Sequence, residues 1–336
     1  MKRDTYICGI FYAEKQGEES EYLNMKGASS STAFQETYWK SLIVFFSTAY
    51  RTNPKAKLLL FSNSKPPYTK WEELLLNIGV SIVDIPYAHK PKSGHWKAWQ
   101  STFYIIDCLG YLEKKVNSND YIYFMDIDCI LLKPLEELNS ILERDGFINY
   151  AINYPVDHKV HGVSRKDMKE SFSQFTKKIG DYPIYFGGEI YGFYGNSSIK
   201  KAYDEASAAW KQSLVNQSLT FNTEEHLFTF VFWKLDKQYN NGENYIKRIW
   251  TDASTFRNVS NSDLDLTIWH LPSEKRRGLL KIFNEVIDEN SSFWSMDINF
   301  YKIYLGRYVS IPHRKFNRIF IEANKICIKK VISFTK

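Results

Sequence analysis

The chain has 336 residues, of which 44% are hydrophobic and 24% charged, a balance typical of a globular protein that buries a sizeable core. The net charge of +6 is uneven, because residues 301–336 contain nine Lys or Arg and one acid, while the rest of the chain has a slight excess of acids. Basic and aromatic residues are not interleaved elsewhere in the manner of RNA-binding proteins, so we expect no nucleic acid partner. No run approaches the roughly 18 apolar residues that a membrane span requires.

The four cysteines, Cys8, Cys108, Cys129 and Cys327, lie far apart and form no CxxC pair. Their spacing argues against a zinc site and against a disulfide framework. The basic start MKRD is followed by a short apolar run that ends in acidic and basic residues, unlike a signal peptide. We therefore expect a reducing, cytoplasmic location.

The first part of the chain alternates apolar runs with helical patterns. Strands are predicted over residues 5–13, 56–61, 80–85 and 121–125. Helices are predicted over residues 36–50, from a capping-box pattern at Thr69 to Gly79, and over residues 96–112. Strands that alternate with single helices indicate βαβ units. We therefore expect an α/β protein with a Rossmann-like, mainly parallel central sheet flanked by helices.

The second part of the chain is less regular. Residues 149–183 are polar with little periodicity, which indicates an insertion or a mobile loop. An apolar segment follows over residues 185–195, then a helix over about 197–214 and another helix that opens near Asn222.

Two acids end the apolar run 121–125, in the segment Asp126-Ile127-Asp128. Side chains two residues apart on a strand point to the same face, and ligands of open α/β sheets bind beyond the carboxyl ends of the strands. Two carboxylates inside a hydrophobic run are costly unless a cation compensates their charge. Mg²⁺ and Mn²⁺ accept such oxygen ligands and keep positions free for phosphate oxygens. We predict a divalent metal site here.

Two further motifs indicate a ligand near this metal. The adjacent glycines Gly187 and Gly188 allow close backbone approach to a ligand, although an ordinary turn or bulge also explains them. Glu224 and Glu225 stand at a predicted helix start, where a carboxylate also stabilises the helix dipole.

The third motif lies near the end of the chain. His270 precedes a cluster of cations that begins with Lys275 and Arg276. A histidine followed by cations is better explained by a metal ligand beside a diphosphate clamp than by a structural histidine.

Taken in order, these motifs resemble those of glycosyltransferases with the A-type fold. The segments Phe186-Gly187-Gly188, Thr223-Glu224-Glu225-His226-Leu227 and Ile249-Trp250-Thr251-Asp252 are similar to the blood-group A/B and α-1,3-galactosyltransferase family. His270 with Lys275 is instead similar to the glycogenin and lipooligosaccharide galactosyltransferase group. The resemblance covers roughly residues 4–281.

The resemblance implies transfer of a sugar from a UDP-sugar to an acceptor hydroxyl of a glycan or lipid-linked saccharide. The implied ligands of Mn²⁺ or Mg²⁺ are Asp126, Asp128 and His270. The residues implied to bind the donor are Phe11, Tyr12, Lys97, Asp126, Gly188, Glu189, Lys275 and Arg276. The implied catalytic residues are Glu224 and Glu225. We further expect a role in the synthesis of a cell-surface polysaccharide such as O-antigen, capsule or lipooligosaccharide.

Two departures from the family pattern concern the acceptor and the diphosphate. Thr223 stands where the blood-group family has an aspartate, and the helix before Asp126 lacks the arginine of both groups, so that Lys97 or Gln100 is expected to replace it. We expect retention of configuration with Glu224 at the reacting sugar. The alternative is an inverting enzyme in which Glu224 or Glu225 is the general base.

Other classes of protein use parts of the same pattern. A haloacid dehalogenase phosphatase also has two acids after an apolar strand, but it requires Thr or Val where this chain has Ile130. A sugar nucleotidyltransferase shares the general fold, but usually has a Gly-rich, cationic loop after its first strand. A non-catalytic carbohydrate-binding relative, which needs no metal ligands, and GDP in place of UDP also stay open.

The basic C-terminus predicts a separate element. Residues 314–336 alternate apolar and basic residues at helical spacing, which is typical of a helix that lies on an anionic membrane or docks on its own domain. We therefore expect a catalytic domain over residues 1–300, with a donor half (about 1–135) and an acceptor half (about 136–300), and a basic tail over 301–336. If the tail binds lipid, the protein is peripheral on the inner face of the cell membrane.

Overall fold

The computed structural model describes residues 3–22, 25–176, 180–215 and 220–334. The strands in chain order are β1 Thr5–Phe11, β2 Lys57–Ser62, β3 Val80–Val83, β4 Tyr121–Met125, β5 Cys129–Leu131, β6 Phe147–Ala151, β7 Phe186–Tyr194, β8 Ile246–Arg248, β9 Thr251–Asp252, β10 Phe256–Arg257 and β11 Ile268–His270. The α-helices are α1 Thr32–Thr52, α2 Thr69–Asn77, α3 Tyr104–Leu112, α4 Glu136–Asp145, α5 Arg165–Ser173, α6 Gly195–Val215, α7 Glu224–Lys234, α8 Gly278–Val286, α9 Ser292–Ser295, α10 Ile298–Val309 and α11 Phe316–Phe334. Short 3₁₀ helices cover Gln100–Phe103 and Asn261–Asp265.

A six-stranded sheet with the order β3-β2-β1-β4-β7-β6 forms the centre of the molecule. The pairs among β1, β2, β3 and β4 are parallel, whereas β7 runs antiparallel to β4 and to β6. The predicted α/β class with a mainly parallel central sheet is therefore confirmed.

The central strand β4 is covered on both faces, as its continuous apolar sequence predicts. Tyr121, Tyr123 and Met125 belong to a core that also contains α1 and α8, while Ile122 and Phe124 belong to a second core formed with α3, α6 and α7. Because these two cores fix both faces of the strand, the residues that follow Met125 must emerge at the edge of the sheet.

A second, three-stranded sheet with the order β5-β11-β8 lies beyond that edge. Its register places Cys129 opposite His270 and His270 opposite Arg248. The chain turns from β4 into β5 through a hydrogen bond from Cys129 N to Asp126 O of 3.0 Å. This tight turn brings Asp126 and Asp128 beside His270, although about 140 residues separate them in sequence.

Three local predictions were wrong. The helix predicted over 96–112 begins only at Tyr104, after the 3₁₀ turn, because Trp99 has a left-handed backbone with φ of 51°. Helix α2 begins at Thr69 itself, so that Tyr68 is its N-cap and no side chain caps it. The polar region after β6 contains α5, which Ser164 and Asp167 open with a capping box.

A buried Asp-His-Ser arrangement ties the segment after β3 to two helices. His89 Nδ1 lies 2.6 Å from Asp107 Oδ1 on α3, and His89 Nε2 lies 3.0 Å from Ser207 Oγ on α6. The connectivity is that of a hydrolase triad, but Ser207 lies inside a helix and is buried. We interpret it as a clamp between the segment and the two helices.

Gly195 connects β7 to α6 with a left-handed φ of 65°, and a Cβ there would lie 2.2 Å from the backbone oxygen of Ser118. Gly79 also has a positive φ, of 83°, but a Cβ there meets nothing within 4 Å.

We expect Gly79→Ala to lower the free energy of unfolding by about 1–2 kcal/mol, the cost of the left-handed conformation. Gly195→Ala must cost more, because a carbonyl must also move. Urea unfolding of both variants checks this, and equal losses would contradict it.

Candidate active site

A cavity of about 380 Å³ opens at the carboxyl ends of β1 and β4. Its wall combines residues from both halves of the sheet with the segments after β6 and before α3. The lining includes residues of every predicted motif: Phe11, Tyr12, Asp126, Asp128, Gly188, Glu224, Glu225, His270 and Lys275. The sequence motifs therefore meet in one place.

Asp126, Asp128 and His270 form a cluster whose ligand atoms lie within 4.8 Å of one another. His270 Nε2 is 3.2 Å from Asp126 Oδ2 and 3.3 Å from Asp128 Oδ1. Asp128 and His270 are buried, whereas the Asp126 side chain is 45% exposed toward the cavity. Two carboxylate oxygens and an imidazole nitrogen with one open side suit Mn²⁺ or Mg²⁺.

The surroundings of His270 Nδ1, the ring nitrogen that faces away from Asp126 and Asp128, support a metal site. Its Nδ1 is buried without a hydrogen bond and lies 3.3 Å from Glu189 Oε1, while Glu189 Oε2 also has no hydrogen-bond partner in the described structure. A histidine that ligates a metal through Nε2 commonly donates its Nδ1 proton to a carboxylate. His270 Nδ1 is placed to form that bond with Glu189 Oε1, so the residues fit a divalent ion.

Cations already neutralise this acidic cluster. Burial would lower the pKa of His270, but Asp128, Asp126 and Glu189 outweigh it and raise that pKa well above its ordinary value. Burial likewise opposes the charge of Asp128, but Lys275 and His270 hold the pKa of this carboxyl below its usual range. Lys275 Nζ donates a hydrogen bond to Asp128 Oδ2. The Lys275 ammonium thus provides positive charge where a metal would provide it.

The three cations that follow His270 in the sequence, at positions 275 to 277, lie in different places. Lys275 lines the cavity and lies 5.7 Å from the centre of the Tyr38 ring. Arg276 is exposed and does not line the cavity, because the turn before α8 directs it away; Arg277 pairs with Asp252 instead. The structure therefore does not bring Arg276 to the cavity, and its contact with phosphate stays a prediction.

Glu224 and Glu225 stand side by side at the start of α7 but have opposite surroundings. Glu225 Oε1 accepts hydrogen bonds from Gly188 N (3.1 Å) and Arg248 Nη2 (2.7 Å). Glu225 Oε2 accepts from Tyr185 Oη at 2.5 Å, and His161 Nε2 lies 3.6 Å away. Glu225 is therefore occupied by structural contacts.

Glu224 instead accepts a hydrogen bond from Thr102 Oγ1. A Cβ at Gly188 would lie 2.8 Å from Glu224 Oε1, so the glycine leaves room for this carboxyl at the cavity floor. Burial and the charge of Glu225 raise the pKa of Glu224 to about 8. Burial would also raise the pKa of Glu225, but Arg248, His161 and Tyr185 hold it well below its usual range.

Glu189 does not face the cavity as expected. It is fully buried behind His270, where Arg248 Nε donates a hydrogen bond to Glu189 Oε1. Gly187 has to be a glycine, because its Cβ would lie 1.9 Å from Glu189 Oε2. The prediction that Glu189 meets the donor sugar is therefore corrected: its carboxyl lies behind His270, one of the three candidate metal ligands.

Aromatic residues surround the end of β1. Phe11 is buried and stacks on Tyr38 with ring centroids 5.6 Å apart. Tyr12 packs edge-on against Tyr87 at 4.9 Å and against Tyr104 at 5.3 Å. Phe11 and Tyr12 both line the cavity, as predicted for a base-binding end, although their rings are largely held by neighbours.

Lys97 lies outside the cavity. Its side chain is exposed and pairs with Glu21 at 3.2 Å, because the left-handed turn at Trp99 separates this segment from α3. Gln100 Nε2 donates a hydrogen bond to Ala98 O at 3.0 Å. Lys97 and Gln100 therefore do not supply the cation that the family places before Asp126.

Several cavity residues were not predicted from the sequence: Glu14, Trp99, Thr102, Tyr154, His161 and Arg248. Trp99 and His161 both have left-handed backbones, with φ of 51° and 49°, and their rings pack edge-on at 4.6 Å. Such backbone strain in residues other than glycine is concentrated at functional sites. The periodicity of a sequence gives no information on the φ angle of a single residue, so Trp99 and His161 could not be identified from it. Arg248 could be placed in the cavity only from the register of β8 against β11.

Two solved structures have a similar fold. The galactosyltransferase LgtC, solved with donor and acceptor sugar analogs, superposes with a TM-score of 0.51 at 11% identity, over 84% of this chain and 95% of LgtC. The bifunctional glycosyltransferase WbbM gives a TM-score of 0.53 at 11% identity, over 90% of this chain, which spans about half (52%) of WbbM. The expected glycosyltransferase A-type fold is therefore confirmed. No protein-family model and no curated protein sequence matches the chain.

The opposite surroundings of the two glutamates predict opposite pH effects on stability. Because folding raises the pKa of Glu224 to about 8, stability is lost as the pH rises from about 4.5 toward 8 and the buried carboxyl ionises. Glu224→Gln cannot ionise, so we expect it to raise the melting temperature by a few degrees at about pH 8.5 and by less near pH 5.

Glu225→Gln is the matched control for this measurement. The pKa of Glu225 is lowered on folding, so its ionised form stabilises the protein at every pH above about 4.5. Its variant should lose stability at both pH values. A Glu224→Gln effect that does not change between the two pH values would contradict the assignment of the raised pKa.

Proposed function

We propose that this protein is a metal-dependent glycosyltransferase that moves a sugar from a UDP-sugar to an acceptor hydroxyl. The observation that carries the proposal is the cluster of Asp126, Asp128 and His270 at the mouth of a cavity floored by Glu224. The A-type fold places this cluster at the carboxyl edge of the central sheet, where α/β proteins bind nucleotides. The likeness to LgtC supports a donor and an acceptor sugar in the same cavity.

Bond cleavage leaves a diphosphate whose negative charge must be stabilised. A divalent ion held by Asp126, Asp128 and His270 would neutralise part of that charge. Lys275 can supply a further donor, since its ammonium needs only to exchange Asp128 Oδ2 for a phosphate oxygen. Phe11 and Tyr12 would border the base at the end of β1.

We assign the reacting carboxylate to Glu224 and a structural role to Glu225. Glu225 already accepts hydrogen bonds from Gly188, Arg248 and Tyr185, so it has little capacity to take a proton from an acceptor. Glu224 faces the cavity and, once ionised, can stabilise or attack a cationic sugar, as carboxylates do in glycosidases. This arrangement favours retention; the inverting alternative uses Glu224 as general base.

The acceptor side of the cavity suits a sugar. Trp99, Tyr154 and His161 offer aromatic surface, and Thr223 is buried with its Oγ1 unpaired in the described structure. We propose a glycan or lipid-linked saccharide as acceptor, in cell-surface polysaccharide synthesis such as that of O-antigen, capsule or lipooligosaccharide. The pathway rests on the resemblance to the lipooligosaccharide group.

Hydrolysis of a panel of UDP- and GDP-sugars without acceptor tests the proposal. We expect Mn²⁺-dependent release of UDP by the wild type, and a loss of roughly 100-fold or more in Asp128→Ala, because a metal ligand and the Lys275 partner are both removed. Asp288→Ala, which changes an exposed acid that does not line the cavity, is the control. Equal rates for wild type and Asp128→Ala would refute the metal site.

Thermal shift distinguishes the other classes of protein. Stabilisation by UDP that requires Mn²⁺ supports a transferase. A binding module should show no response to nucleotide, and a nucleotidyltransferase should be stabilised by a nucleoside triphosphate and release pyrophosphate.

The tail has features of both interpretations of its sequence. Arg318 Nη2 donates to Glu274 Oε1 at 2.7 Å and to Thr251 Oγ1 at 2.9 Å, so the first turns of α11 dock on the domain. Phe316 and Phe320, however, are 86% and 63% exposed. In the part of the chain that the structure describes, no helix has the length and apolarity needed to cross a bilayer.

We propose that the exposed side of α11 binds an anionic membrane on its cytoplasmic face. Phe316→Ser with Phe320→Ser should abolish cosedimentation with phosphatidylcholine vesicles containing phosphatidylglycerol, because two exposed aromatic anchors are lost while Arg318 stays docked. Phe256→Ser, which changes a phenylalanine on β10 that is 58% exposed, should have no effect. Unchanged sedimentation of the double variant would exclude the tail as the contact.

A further inference from the structure

Arg248 lies at the end of β8, in register with the metal-ligand candidate His270 on the neighbouring strand β11. Register partners on adjacent strands project to the same side of a sheet. The Arg248 side chain is only 17% exposed and lies between two carboxylates, Glu189 and Glu225. One guanidinium thus contacts both the metal side and the sugar side of the cavity.

The first contact reaches the metal ligand. Arg248 Nε donates to Glu189 Oε1, and the same oxygen lies 3.3 Å from His270 Nδ1. Because Glu189 Oε2 has no hydrogen-bond partner in the described residues, Arg248 is the principal anchor of this carboxylate. The orientation of the His270 ring therefore depends on Arg248 through Glu189.

The second contact reaches the sugar side. Arg248 Nη2 donates to Glu225 Oε1, which also accepts a hydrogen bond from Gly188 N. The other oxygen of Glu225 holds Tyr185, and His161 lies beside it at 3.6 Å. The backbone that faces Glu224 and the aromatic wall beyond it are therefore fixed by the same arginine.

The geometry requires an arginine. Two nitrogens of one planar group bond two carboxylates that would otherwise repel each other in a buried site. A lysine ammonium is a single point of charge and cannot hold both carboxylates in this geometry. The sequence offers no local signal for this role, since Glu189, Glu225 and Arg248 lie on three separate elements.

We propose that Arg248 is a positioning residue that sets His270 for metal binding and the Gly188–Glu225 wall for the sugar at the same time. The inference rests on the proposed function. The inference predicts that Arg248 affects two quantities through two different contacts. Its contact with Glu189, the metal branch, affects the affinity for the metal, and its contact with Glu225 affects turnover of the donor.

Titration calorimetry of Mn²⁺ with and without UDP tests the metal branch. We expect Glu189→Gln and Arg248→Lys to weaken Mn²⁺ binding roughly 10–100-fold, the usual effect of losing the partner of a ligating histidine. Glu225→Gln should leave Mn²⁺ affinity unchanged but slow Mn²⁺-dependent hydrolysis of the UDP-sugar. Arg257→Lys, which alters an arginine bonded to the carbonyls of Thr251, Ser310 and Pro312, is the matched control and should change neither quantity.

Circular dichroism and melting temperatures of each variant identify loss of fold, and Glu189→Gln carries the test if Arg248→Lys does not fold. A purely structural Arg248 would lower the melting temperature and leave the Mn²⁺ affinity of the folded protein unchanged, which would overturn the inference. Identical effects of Glu189→Gln and Glu225→Gln on both measurements would also overturn it. A wild type that binds neither Mn²⁺ nor UDP would instead refute the proposed function itself.

Discussion

The concentration of negative charge at the end of β4 is the constraint on which the site depends. Besides Glu14, five carboxyl groups line or support one cavity: Asp126, Asp128, Glu189, Glu224 and Glu225. Ionised carboxylates out of water are costly unless cations compensate them, and this chain provides three kinds of compensation. Arg248 pairs with Glu189 and Glu225. Lys275 and a proton on His270 offset the charges of Asp126 and Asp128. Burial holds Glu224 largely uncharged near neutral pH. Each acid therefore acquires a distinct role from its counter-charge.

Environment, and not residue type, separates the two adjacent glutamates. Glu224 and Glu225 have the same side chain and both begin α7, and a sequence motif treats them as a pair. Helical geometry turns neighbouring residues by about 100°, so one points toward Arg248 and the other toward Thr102 and the cavity. The resulting pKa shifts have opposite signs, because burial and Glu225 disfavour the charge on Glu224 whereas Arg248 and His161 favour the charge on Glu225.

The parts of the fold and site that follow from local patterns could be predicted from the sequence. The apolar run of β4 predicted a strand buried on both faces, and Asp126 and Asp128 were expected at its end. Three residues that were expected at the donor do not line the cavity: Lys97, Glu189 and Arg276. Residue type and spacing suggested them, but neither specifies the direction of a side chain. Arg248 was missed because its role depends on the register of β8 against β11 and on contacts with two remote elements. Likewise, the polarity of the segment after β6 concealed α5, whose capping box is a stronger signal than its weak periodicity.

The contact between Lys275 and Asp128 determines how far the fold would depend on a bound metal ion. A fold that needed a bound ion for its charge balance would be destabilised whenever the ion left. Here the Lys275 ammonium and a protonated His270 imidazole already offset the carboxylates, so an ion bound in the proposed metal site would be exchangeable and the fold would not require it. For the proposed enzyme, we therefore expect the chain to fold before a divalent ion binds and to keep its fold when the ion leaves together with the nucleotide.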